Sequence, residues 1–411
     1  MADNKKVLFL CDRYGQPNDA NGICVKNVAR EFLRRGYQVF CIYNSELADK
    51  SFSEDGITFV GLKQTLYDSI SNKCQKNGGI FKLFFGMYSV LRRAALIPFY
   101  PNVSPLRSRR YAAAAAHLIA KENIGLVIGA YRPFESIFSL FKIKQKFKEK
   151  AFCVAYHLDV LTSPNTKNKC IKACQQKRAR KVFARECEKL DLIVLPSVLE
   201  KSVLQCNKVK YADFPVCDSS APEENFKLPY VEGCLNFAYV GTLNTENRNP
   251  AHAIDLIEKI SIKTGKKALF HIWGNVDPGV KKQLEKAENV LHHGMLAPER
   301  VMFALKAADF IVNIANEQTP QMVPSKIFQY FSTRKPILNF VSSEDDSAVP
   351  FFEKYGYVVN IYKSNGIEHN IDLAVNFFEN IEERRSRIDE TFLSRSTPAF
   401  FANVVENEYG L

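Results

Sequence analysis

The chain has 411 residues, of which 46% are hydrophobic and 24% charged, a composition typical of globular proteins and a length sufficient for two domains. It contains no stretch of eighteen uncharged apolar residues, which excludes a predicted membrane-spanning helix. The apolar run near the amino terminus has only about five residues, too few for the core of a signal peptide. We therefore expect a cytoplasmic protein whose eleven cysteines are reduced thiols.

Basic residues are concentrated in the first half of the chain. Residues 1–220 contain 36 Lys and Arg against 19 Asp and Glu, a net charge of +17. Residues 221–411 contain 20 against 25, a net charge of −5. This asymmetry indicates an anionic partner for the first half, either a membrane surface or a nucleic acid.

Short apolar segments alternate with helical patterns along the first half. The predicted strands span residues 7–11, 37–43, 126–129, 151–156 and 192–196. A polar loop after the first strand extends to Gly22, and an amphipathic helix then runs to Gly36. Such an alternation is typical of parallel α/β sheets.

The same alternation begins again in the second half, after a Pro-, Asp- and Glu-rich connection at residues 214–233. The predicted strands there span residues 235–240, 268–273, 290–292, 309–314 and 337–341, with helices at 250–263 and 298–308. The pattern predicts two Rossmann-like domains that face each other across a cleft, with ligand at the carboxyl ends of the strands. We expect the domains to be residues 1–213 and 214–385, followed by a helical tail, 386–411, that could cross back to the first domain.

Four loops in the second half follow predicted strands and carry polar or small residues. They are residues 241–250, which contain Arg248, and the segments Trp273-Gly274-Asn275, His293-Gly294-Met295 and Asn313-Ile-Ala-Asn316. Carboxyl ends of parallel strands share one edge of a sheet, so these loops should lie close together. Arginine is suited to bidentate recognition of phosphate, and the sequence therefore predicts a phosphate contact at Arg248.

Residues 321–336, QMVPSKIFQYFSTRKP, read as a loop that feeds a helix. Pro324 and Ser325 fit the first turn of that helix, and Lys326 adds a full positive charge beside it. The amino terminus of a helix attracts anions, so this segment also predicts a phosphate site.

In order and spacing, these motifs resemble those of the retaining GT-B glycosyltransferases of the large family four, especially members that build bacterial surface polysaccharides. The resemblance rests on Tyr-Val-Gly-Thr-Leu, Arg-Asn-Pro, Ile-Trp-Gly-Asn, His-His-Gly and Pro-Ser-Lys-Ile-Phe-Gln-Tyr. It covers residues 235–341 well and the first half only loosely. It implies a hexosyltransferase that uses a nucleotide-diphosphate sugar and retains the anomeric configuration; the residues by themselves do not separate retention from inversion.

The resemblance also implies roles for residues in the second half. Arg248 and Lys326 would hold the diphosphate, with backbone N–H groups around Val323, Pro324 and Ser325. Gly274 and Met295 would lie beside the base. The chain has no Asp-x-Asp motif, so we expect neither a metal nor another cofactor.

Two positions depart from the family pattern, which usually has glutamates eight residues apart that contact the donor sugar and the ribose. Here these positions are Gln321 and Gln329. Glutamine still forms hydrogen bonds with hydroxyl groups but loses the stronger charge-assisted ones. The change is compatible with an unusual donor, with weaker binding or with a catalytically diminished GT-B partner protein.

In the first half, the resemblance places His157 near the reacting sugar and lets the loop at Gly22 approach the donor phosphate. Asp12, Arg13 and Asp159 would line the acceptor side. For His157 and Gly22 the alternative is a structural role, in the wall of the cleft and at a helix entry.

Residues 80–100 mix large apolar side chains with basic ones, a pattern typical of a helix lying in a membrane interface. The predicted contacts are Lys82, Phe84, Phe85, Arg92 and Arg93. We therefore expect a peripheral protein on the inner face of the plasma membrane that takes a lipid-linked saccharide acceptor. The alternative for this segment is a buried helix with solvated basic faces.

Three other functions were weighed against the transferase. A nucleic-acid-binding protein would use the basic half, but that half lacks a recognition helix, so we expect no nucleic acid partner. A GT-B-fold nucleotide-sugar epimerase would use the same donor loops. The diminished partner protein would bind the donor without turnover.

Overall fold

The structure is a computed structural model, and it divides the chain into two compact units. Unit 1 comprises Met1–Pro215 and Arg395–Leu411, and unit 2 comprises Val216–Ser394. The described residues are 5–12, 14, 20–44, 51–62, 65, 67, 69–70, 74, 80–96, 99–102, 104–131, 133–158, 169–202, 206–216, 227–320 and 323–410.

Unit 1 contains a sheet in which every pairing but one is parallel. Within the described residues its strands are β1 (Lys6–Cys11), β2 (Gln38–Asn44), β3 (Ser51–Glu54), β4 (Ile57–Leu62), β5 (Leu126–Tyr131), β6 (Phe152–His157), β7 (Leu192–Leu195) and β8 (Val209–Tyr211). Their order is β3-β4-β2-β1-β5-β6-β7-β8, and only β3 runs antiparallel to its neighbour. Strands β1, β5 and β7 are almost wholly buried, as expected where helices cover both faces of a parallel sheet.

The described helices of unit 1 lie between its strands in the chain, apart from one at the end of the chain. They are α1 (Ala20–Arg34), α2 (Ile80–Leu96), α3 (Pro105–Glu122), α4 (Phe134–Phe147), α5 (Lys169–Lys189) and, from the end of the chain, α14 (Pro398–Tyr409). Helix α14 packs on α1, where Arg35 forms ion pairs with both Glu31 and Glu406. Short 3-10 helices lie at Lys148–Lys150 and Ser197–Ser202.

Helix α1 begins at Ala20, so Gly22 lies in its first turn. The predicted extension of the polar loop to Gly22 is therefore wrong by two residues. Glycine is accepted at the N-cap of a helix, which makes it a weak marker of where the first turn begins. The role predicted for Gly22 stays a prediction.

Unit 2 contains a sheet of parallel strands. Within the described residues these are β9 (Leu235–Val240), β10 (Ala268–Trp273), β11 (Val290–His292), β12 (Phe310–Ile314), β13 (Ile337–Val341) and β14 (Val358–Tyr362). Their order is β11-β10-β9-β12-β13-β14. Counted from β9 this is 3-2-1-4-5-6, the order of a dinucleotide-binding Rossmann sheet, in which ligands bind where the order reverses. That point lies between β9 and β12.

The described helices of unit 2 lie between and after these strands. They are α6 (Ala251–Thr264), α7 (Pro278–Leu284), α8 (Pro298–Ala307), α9 (Lys326–Ser332), α10 (Val349–Tyr355), α11 (Ile367–Glu379), α12 (Ile381–Arg385) and α13 (Glu390–Ser394), with a 3-10 turn at Lys363–Asn365. Asp277 caps α7 by accepting a hydrogen bond from the backbone N–H of Val280. Gly265, in the left-handed conformation, ends α6.

These two sheets confirm the predicted fold class of two Rossmann-like α/β domains. Across the described part of the chain, no helix has the length and apolar character needed to cross a bilayer.

Candidate functional site

The loops that leave β9 and β12 are tied together at the point where the order of the sheet reverses. Nε of Arg248 donates a hydrogen bond to Oδ1 of Asn316 at 2.6 Å, and only 4% of Asn316 is exposed. Asn247 donates to the same oxygen at 3.4 Å. Because Asn316 engages one edge of the guanidinium, the rotation of the Arg248 side chain is restricted at this point of the sheet.

The loop that carries Arg248 is held by its own turn. Oδ1 of Asn244 accepts hydrogen bonds from the backbone N–H groups of Asn247, at 2.7 Å, and Arg248, at 3.3 Å. The loop after β12 is attached to the same turn. The backbone N–H of Glu317 donates to the carbonyl of Asn247, and that of Gln318 donates to Oδ1 of Asn247, each at 2.9 Å. Arg248 is therefore positioned both by hydrogen bonds within its own turn and by hydrogen bonds to the loop after β12.

Lys326 lies against two tyrosines, Tyr239 and Tyr330. Its Nζ is 3.4 Å from the hydroxyl of Tyr239, 4.7 Å from the centre of that ring and 5.7 Å from the ring centre of Tyr330. Such positions allow cation–π attraction. Tyr330 is four residues after Lys326, a spacing that places both on one face of α9. Arg248 interacts with the Tyr239 hydroxyl and with the charge of Lys326, so the two basic residues belong to one cationic cluster around Tyr239.

The protonation behaviour of this cluster follows from its burial. Lys326 as a whole is half-buried, but its ammonium lies between the rings, and burial together with the charge of Arg248 lowers its pKa well below the ordinary lysine value. Burial raises the pKa of Tyr239 to about 12, against the opposing effect of Arg248. An anionic ligand would relieve the repulsion between the two cations.

The segment that precedes α9 differs from its prediction. Helix α9 begins at Lys326 and has seven residues, so Pro324 and Ser325 lie before its first turn. Their carbonyls accept the first hydrogen bonds, from the backbone N–H groups of Ile327 and Phe328, at 3.2 Å each. So short a helix gives little reason to expect an anion site at its terminus, and the phosphate contacts predicted for Arg248 and Lys326 stay predictions.

The other residues predicted to contact the nucleotide-sugar donor lie near the carboxyl ends of the strands of unit 2 or outside the described residues. Val323, Pro324 and Ser325 are half-buried in the segment before α9, and Gln329 is half-buried within that helix. Gln321 lies outside the described residues. The structure leaves the roles of these residues as predictions.

Gly274 permits a close approach of the loops after β9 and β10. Its φ is +135°, and a Cβ atom added there would lie 2.1 Å from the backbone oxygen of Gly241. Only glycine fits this position. The N–H of Gly241 donates to the carbonyl of Trp273, at 2.8 Å, which joins the loops after β9 and β10. The N–H of Gly274 donates to the carbonyl of Gly294, at 2.7 Å, which joins the loops after β10 and β11. Met295, in the next loop, is 62% exposed and accessible to a ligand.

Two residues of the cationic cluster, Tyr239 and Tyr330, were not predicted from the sequence. The pairing of Asn316 with Arg248 was not predicted either. The spacing of Lys326 and Tyr330 on one helix face was a usable signal for the second tyrosine. Tyr239 and Asn316 belong to other elements and carry no comparable local signal.

In unit 1, the predicted acceptor residue Asp12 follows β1 at the point where the order of that sheet reverses. Oδ1 of Asp12 lies 3.8 Å from Nη1 of Arg107, on α3. The carboxyl of Glu135, in the first turn of α4, is 1% exposed, and its burial raises its pKa to about 7 despite the charge of Arg107. Arg13 and Asp159 lie outside the described residues, and the acceptor role of Asp12 stays a prediction.

His157 is fully buried at the end of β6. Its Nε2 lies 2.6 Å from Oε2 of Glu186, which is also fully buried. Phe134 and Phe183 surround the imidazole, with ring centres 6.3 and 6.2 Å away. This environment suits the structural alternative as well as a role near a substrate, so catalysis by His157 stays a prediction.

Residues 80–96 form the predicted helix, α2, but two predicted membrane contacts turn towards Tyr67. The ring centre of Phe85 lies 5.3 Å from that of Tyr67, and the guanidinium of Arg92 lies 4.1 Å above the same ring. The side chains of Lys82, Phe84 and Arg93 lie outside the described part. Exposed large apolar residues on this helix and the segments after it include Met87, Val90, Leu91, Phe99 and Leu106.

The fold is of the GT-B type and is similar to that of solved glycosyltransferases. A glycosyltransferase from Rickettsia africae ESF-5 is 11% identical, with a TM-score of 0.59 over 99% of each chain. The catalytic domain of starch synthase IV from Arabidopsis thaliana, bound to ADP and acarbose, is 9% identical, with a TM-score of 0.55 over 99% of each chain.

An epimerase has a similar fold. A putative UDP-N-acetylglucosamine 2-epimerase from Listeria monocytogenes is 12% identical, with a TM-score of 0.54 over 93% of this chain and 90% of that one. No protein family model and no curated protein sequence matches the chain. At these identities the similarities show the fold.

Proposed function

We propose that the protein is a glycosyltransferase of the hexosyltransferase type that takes its sugar from a nucleotide-diphosphate donor bound by unit 2. The observation that supports this most directly is the cationic cluster of Arg248 and Lys326 where the strand order of a Rossmann-like sheet reverses. Two cations, one held by Asn316 and one between tyrosines, suit the two phosphates of such a donor.

In this proposal Arg248 and Lys326 stabilise the diphosphate as it departs. Breaking the bond between the anomeric carbon and the diphosphate develops negative charge on the phosphate oxygen, and preorganised cations lower the energy of that state. The acceptor hydroxyl forms the new bond to the same carbon, and its proton passes to the departing phosphate. No metal or protein nucleophile is required, and by the sequence resemblance the configuration would be retained.

The remaining donor contacts follow from the sequence resemblance. Gly274 and Met295 would lie along the base, and the segment containing Val323, Pro324 and Ser325 would lie along the phosphates. Gln321 and Gln329 would contact the sugar and the ribose through uncharged hydrogen bonds. Because such bonds are weaker than those of a carboxylate, we expect modest donor affinity.

The acceptor in this proposal is a lipid-linked saccharide taken by unit 1 during synthesis of a cell-surface polysaccharide. The basic charge of residues 1–220 and the exposed apolar residues of α2 support contact with an anionic inner membrane surface. Binding to vesicles of phosphatidylglycerol, and weaker binding to vesicles of phosphatidylcholine, would test this assignment.

A thermal-shift panel of nucleoside diphosphates and nucleotide sugars, measured with EDTA, tests the donor assignment. A ligand that binds only the folded protein adds about 2.7 kcal/mol of stability at a hundredfold excess over Kd. We expect one base to give a selective shift in the wild type and a smaller one in Arg248→Ala. No shift with any nucleotide, in a folded sample, would overturn the proposal.

Product analysis separates the alternatives. Nucleotide release that depends on an added saccharide acceptor indicates transfer. A changed sugar released from the donor without an acceptor indicates an epimerase, a candidate supported by the similar fold of the Listeria protein. Donor binding with neither product indicates a catalytically diminished partner protein, in which Gln321 and Gln329 would be the residues to replace with glutamate.

A further inference from the structure

Two half-buried cysteines of unit 1 lie side by side although they belong to different elements. Cys187 is in the last turn of α5, and Cys206 lies in the segment that leads into β8. Their thiols are within hydrogen-bonding distance of each other. Thiols in such contact need only small side-chain rotations to reach the geometry of a disulfide.

Hydrogen bonds of Lys208 hold the segment of Cys206 against the end of α5. Nζ of Lys208 donates to the carbonyl of Leu190, at 2.8 Å, and to that of Glu188, at 3.3 Å. The backbone N–H of Ile193 donates to the carbonyl of Lys208, at 2.9 Å, which ties the same segment to β7. The proximity of the two cysteines therefore follows from contacts of the surrounding chain as well as from the thiols themselves.

The position of each thiol determines which of them reacts first. Burial, and after it the neighbouring Cys206, raises the pKa of the Cys187 thiol to about 12. Cys187 therefore keeps its proton at neutral pH, and the first attack on an oxidant falls to Cys206. Because both residues are only half-buried, a small oxidant can reach them.

Two other cysteine pairs of the described residues each lack one requirement for this chemistry. The sulfur atoms of Cys11 and Cys41 are 3.5 Å apart, but both residues are almost fully buried. Cys170 and Cys174 are exposed, but they lie four residues apart on α5. That spacing leaves about 5–6 Å between Cβ atoms, more than the roughly 3.5–4.5 Å of a disulfide.

We propose that Cys187 and Cys206 are a redox-responsive pair that a small disulfide, such as glutathione disulfide, oxidises to a disulfide bond. The sulfur of Cys206 attacks one sulfur of glutathione disulfide, whose S–S bond breaks, and the first glutathione leaves with the proton of Cys206. The sulfur of Cys187 then attacks that of Cys206, and the second glutathione leaves with the proton of Cys187. Two thiols are oxidised to one disulfide, and one glutathione disulfide is reduced to two glutathiones. The inference goes beyond the proposed transferase and does not depend on it.

The bond would clasp the edge of the sheet of unit 1 to α5. Strand β8 has three residues and is the outermost strand of the described sheet, so it pairs there with β7 alone. The disulfide closes a loop of about 20 residues, which should raise the melting temperature of unit 1 by roughly 5 °C or more. The same turn of α5 carries Glu186, the buried partner of His157, so the clasp also fixes the helix beside that pair.

The test uses the full chain with Cys170→Ser and Cys174→Ser, which removes two exposed thiols that glutathione would otherwise modify. The protein is incubated with glutathione disulfide, its remaining thiols are alkylated, and it is digested without reduction. Mass spectrometry should find peptides linked through Cys187 and Cys206, and dithiothreitol should separate them. Glutathione adducts at either cysteine without linked peptides would overturn the proposal. The same mapping of the unsubstituted protein requires no variant to fold and has the same two outcomes.

Single variants in that background test the clasp. Cys187→Ser and Cys206→Ser should each lose the increase in melting temperature that follows oxidation, and their melting temperatures before oxidation report whether they are folded. Cys11 and Cys41 should stay reduced, because an oxidant does not reach close thiols that are buried. An equal increase in melting temperature in the Cys206→Ser protein would overturn the assignment to this pair, and a link between Cys11 and Cys41 would overturn the role of exposure.

Discussion

Arg248 and Asn316 are 68 residues apart in the chain, yet Nε of the arginine donates to Oδ1 of the asparagine at 2.6 Å. The bond joins the loops after β9 and β12, the two strands between which the order of the sheet reverses. Since Asn316 is almost fully buried, its amide is a fixed support rather than a mobile surface group. A guanidinium held in this way loses less conformational entropy when it binds a phosphate.

This relationship predicts that Asn316 acts on nucleotide binding through Arg248. Arg248→Ala should weaken binding of the nucleoside diphosphate at least about tenfold, because a charge-assisted hydrogen bond contributes roughly 1.5–3 kcal/mol. Asn316→Leu should weaken it about three- to tenfold, the loss of one positioning hydrogen bond. Titration calorimetry of both single variants and the double variant measures the coupling.

Arg385→Ala, an exposed substitution on α12, serves as the control and should leave the affinity unchanged. In the double variant, Asn316→Leu should add little to the effect of Arg248→Ala. Fully additive losses would mean that Asn316 does not act through Arg248.

Lys326 should take up a proton when the diphosphate binds. Its pKa is lowered by burial and by Arg248, and an anionic ligand beside it raises that pKa again. At pH values between the free and the bound pKa, binding therefore includes proton uptake. Calorimetry in buffers of different ionisation enthalpy measures the number of protons, which should fall in Lys326→Met.

The lowered pKa of Lys326 also determines how the stability of the folded protein changes with pH. The folded-state pKa lies below the unfolded value of about 10.4, so the unfolded chain holds this proton more tightly. Stability of the wild type relative to Lys326→Met should therefore rise with pH between the folded and the unfolded pKa. Identical proton counts and identical pH profiles for the two proteins would contradict a lowered pKa.

Gly274→Ala should destabilise unit 2 by about 2–4 kcal/mol, the sum of overpacking against the Gly241 carbonyl and an unfavourable φ. Nucleotide binding should weaken with it, because the loops after β9 and β10 would separate. Urea unfolding and nucleotide titration measure the two effects.

Gly265→Ala is the matched control. Its φ of +67° carries a similar backbone cost, about 1–2 kcal/mol, but an added Cβ would meet no atom within 4 Å. This variant should keep its nucleotide affinity. Equal destabilisation by the two substitutions would show that the contact with Gly241 contributes nothing.

Glu135 should make the stability of unit 1 depend on pH. Burial raises its pKa to about 7, above the value of about 4.3 in an unfolded chain. The contribution of the protonated carboxyl is present below the unfolded pKa and is lost as the pH rises through about 7. Relative to Glu135→Gln, the wild type should lose on the order of 3 kcal/mol between pH 4.5 and pH 8.

Denaturant unfolding of the two proteins at several pH values measures this difference. Glu149→Gln is a suitable control for the substitution itself, because the side chain of Glu149 is 93% exposed. A difference between wild type and Glu135→Gln that is constant with pH would show that Glu135 is ionised in the folded protein throughout this range.

Local features of the sequence were sufficient to predict two Rossmann-like domains and to single out Arg248 and Lys326. Apolar strands alternate with amphipathic helices at a period that can be read from the chain, and the end of a strand indicates which residues reach the edge of a parallel sheet. The start of α9 was less accurately predicted, since proline and serine are accepted on either side of the first helical residue.

Only the tertiary structure decided how these residues are partnered. Four contacts join elements that are distant in the chain: the bond of Arg248 to Asn316, the ring of Tyr239 beside Lys326, the contact of Gly274 with Gly241 and the pairing of His157 with Glu186. The inward orientation of Phe85 and Arg92 on α2 depends in the same way on Tyr67. Periodicity reports which face of an element is apolar, whereas the identity of the neighbour, and with it the pKa and orientation of each group, arises from packing between elements.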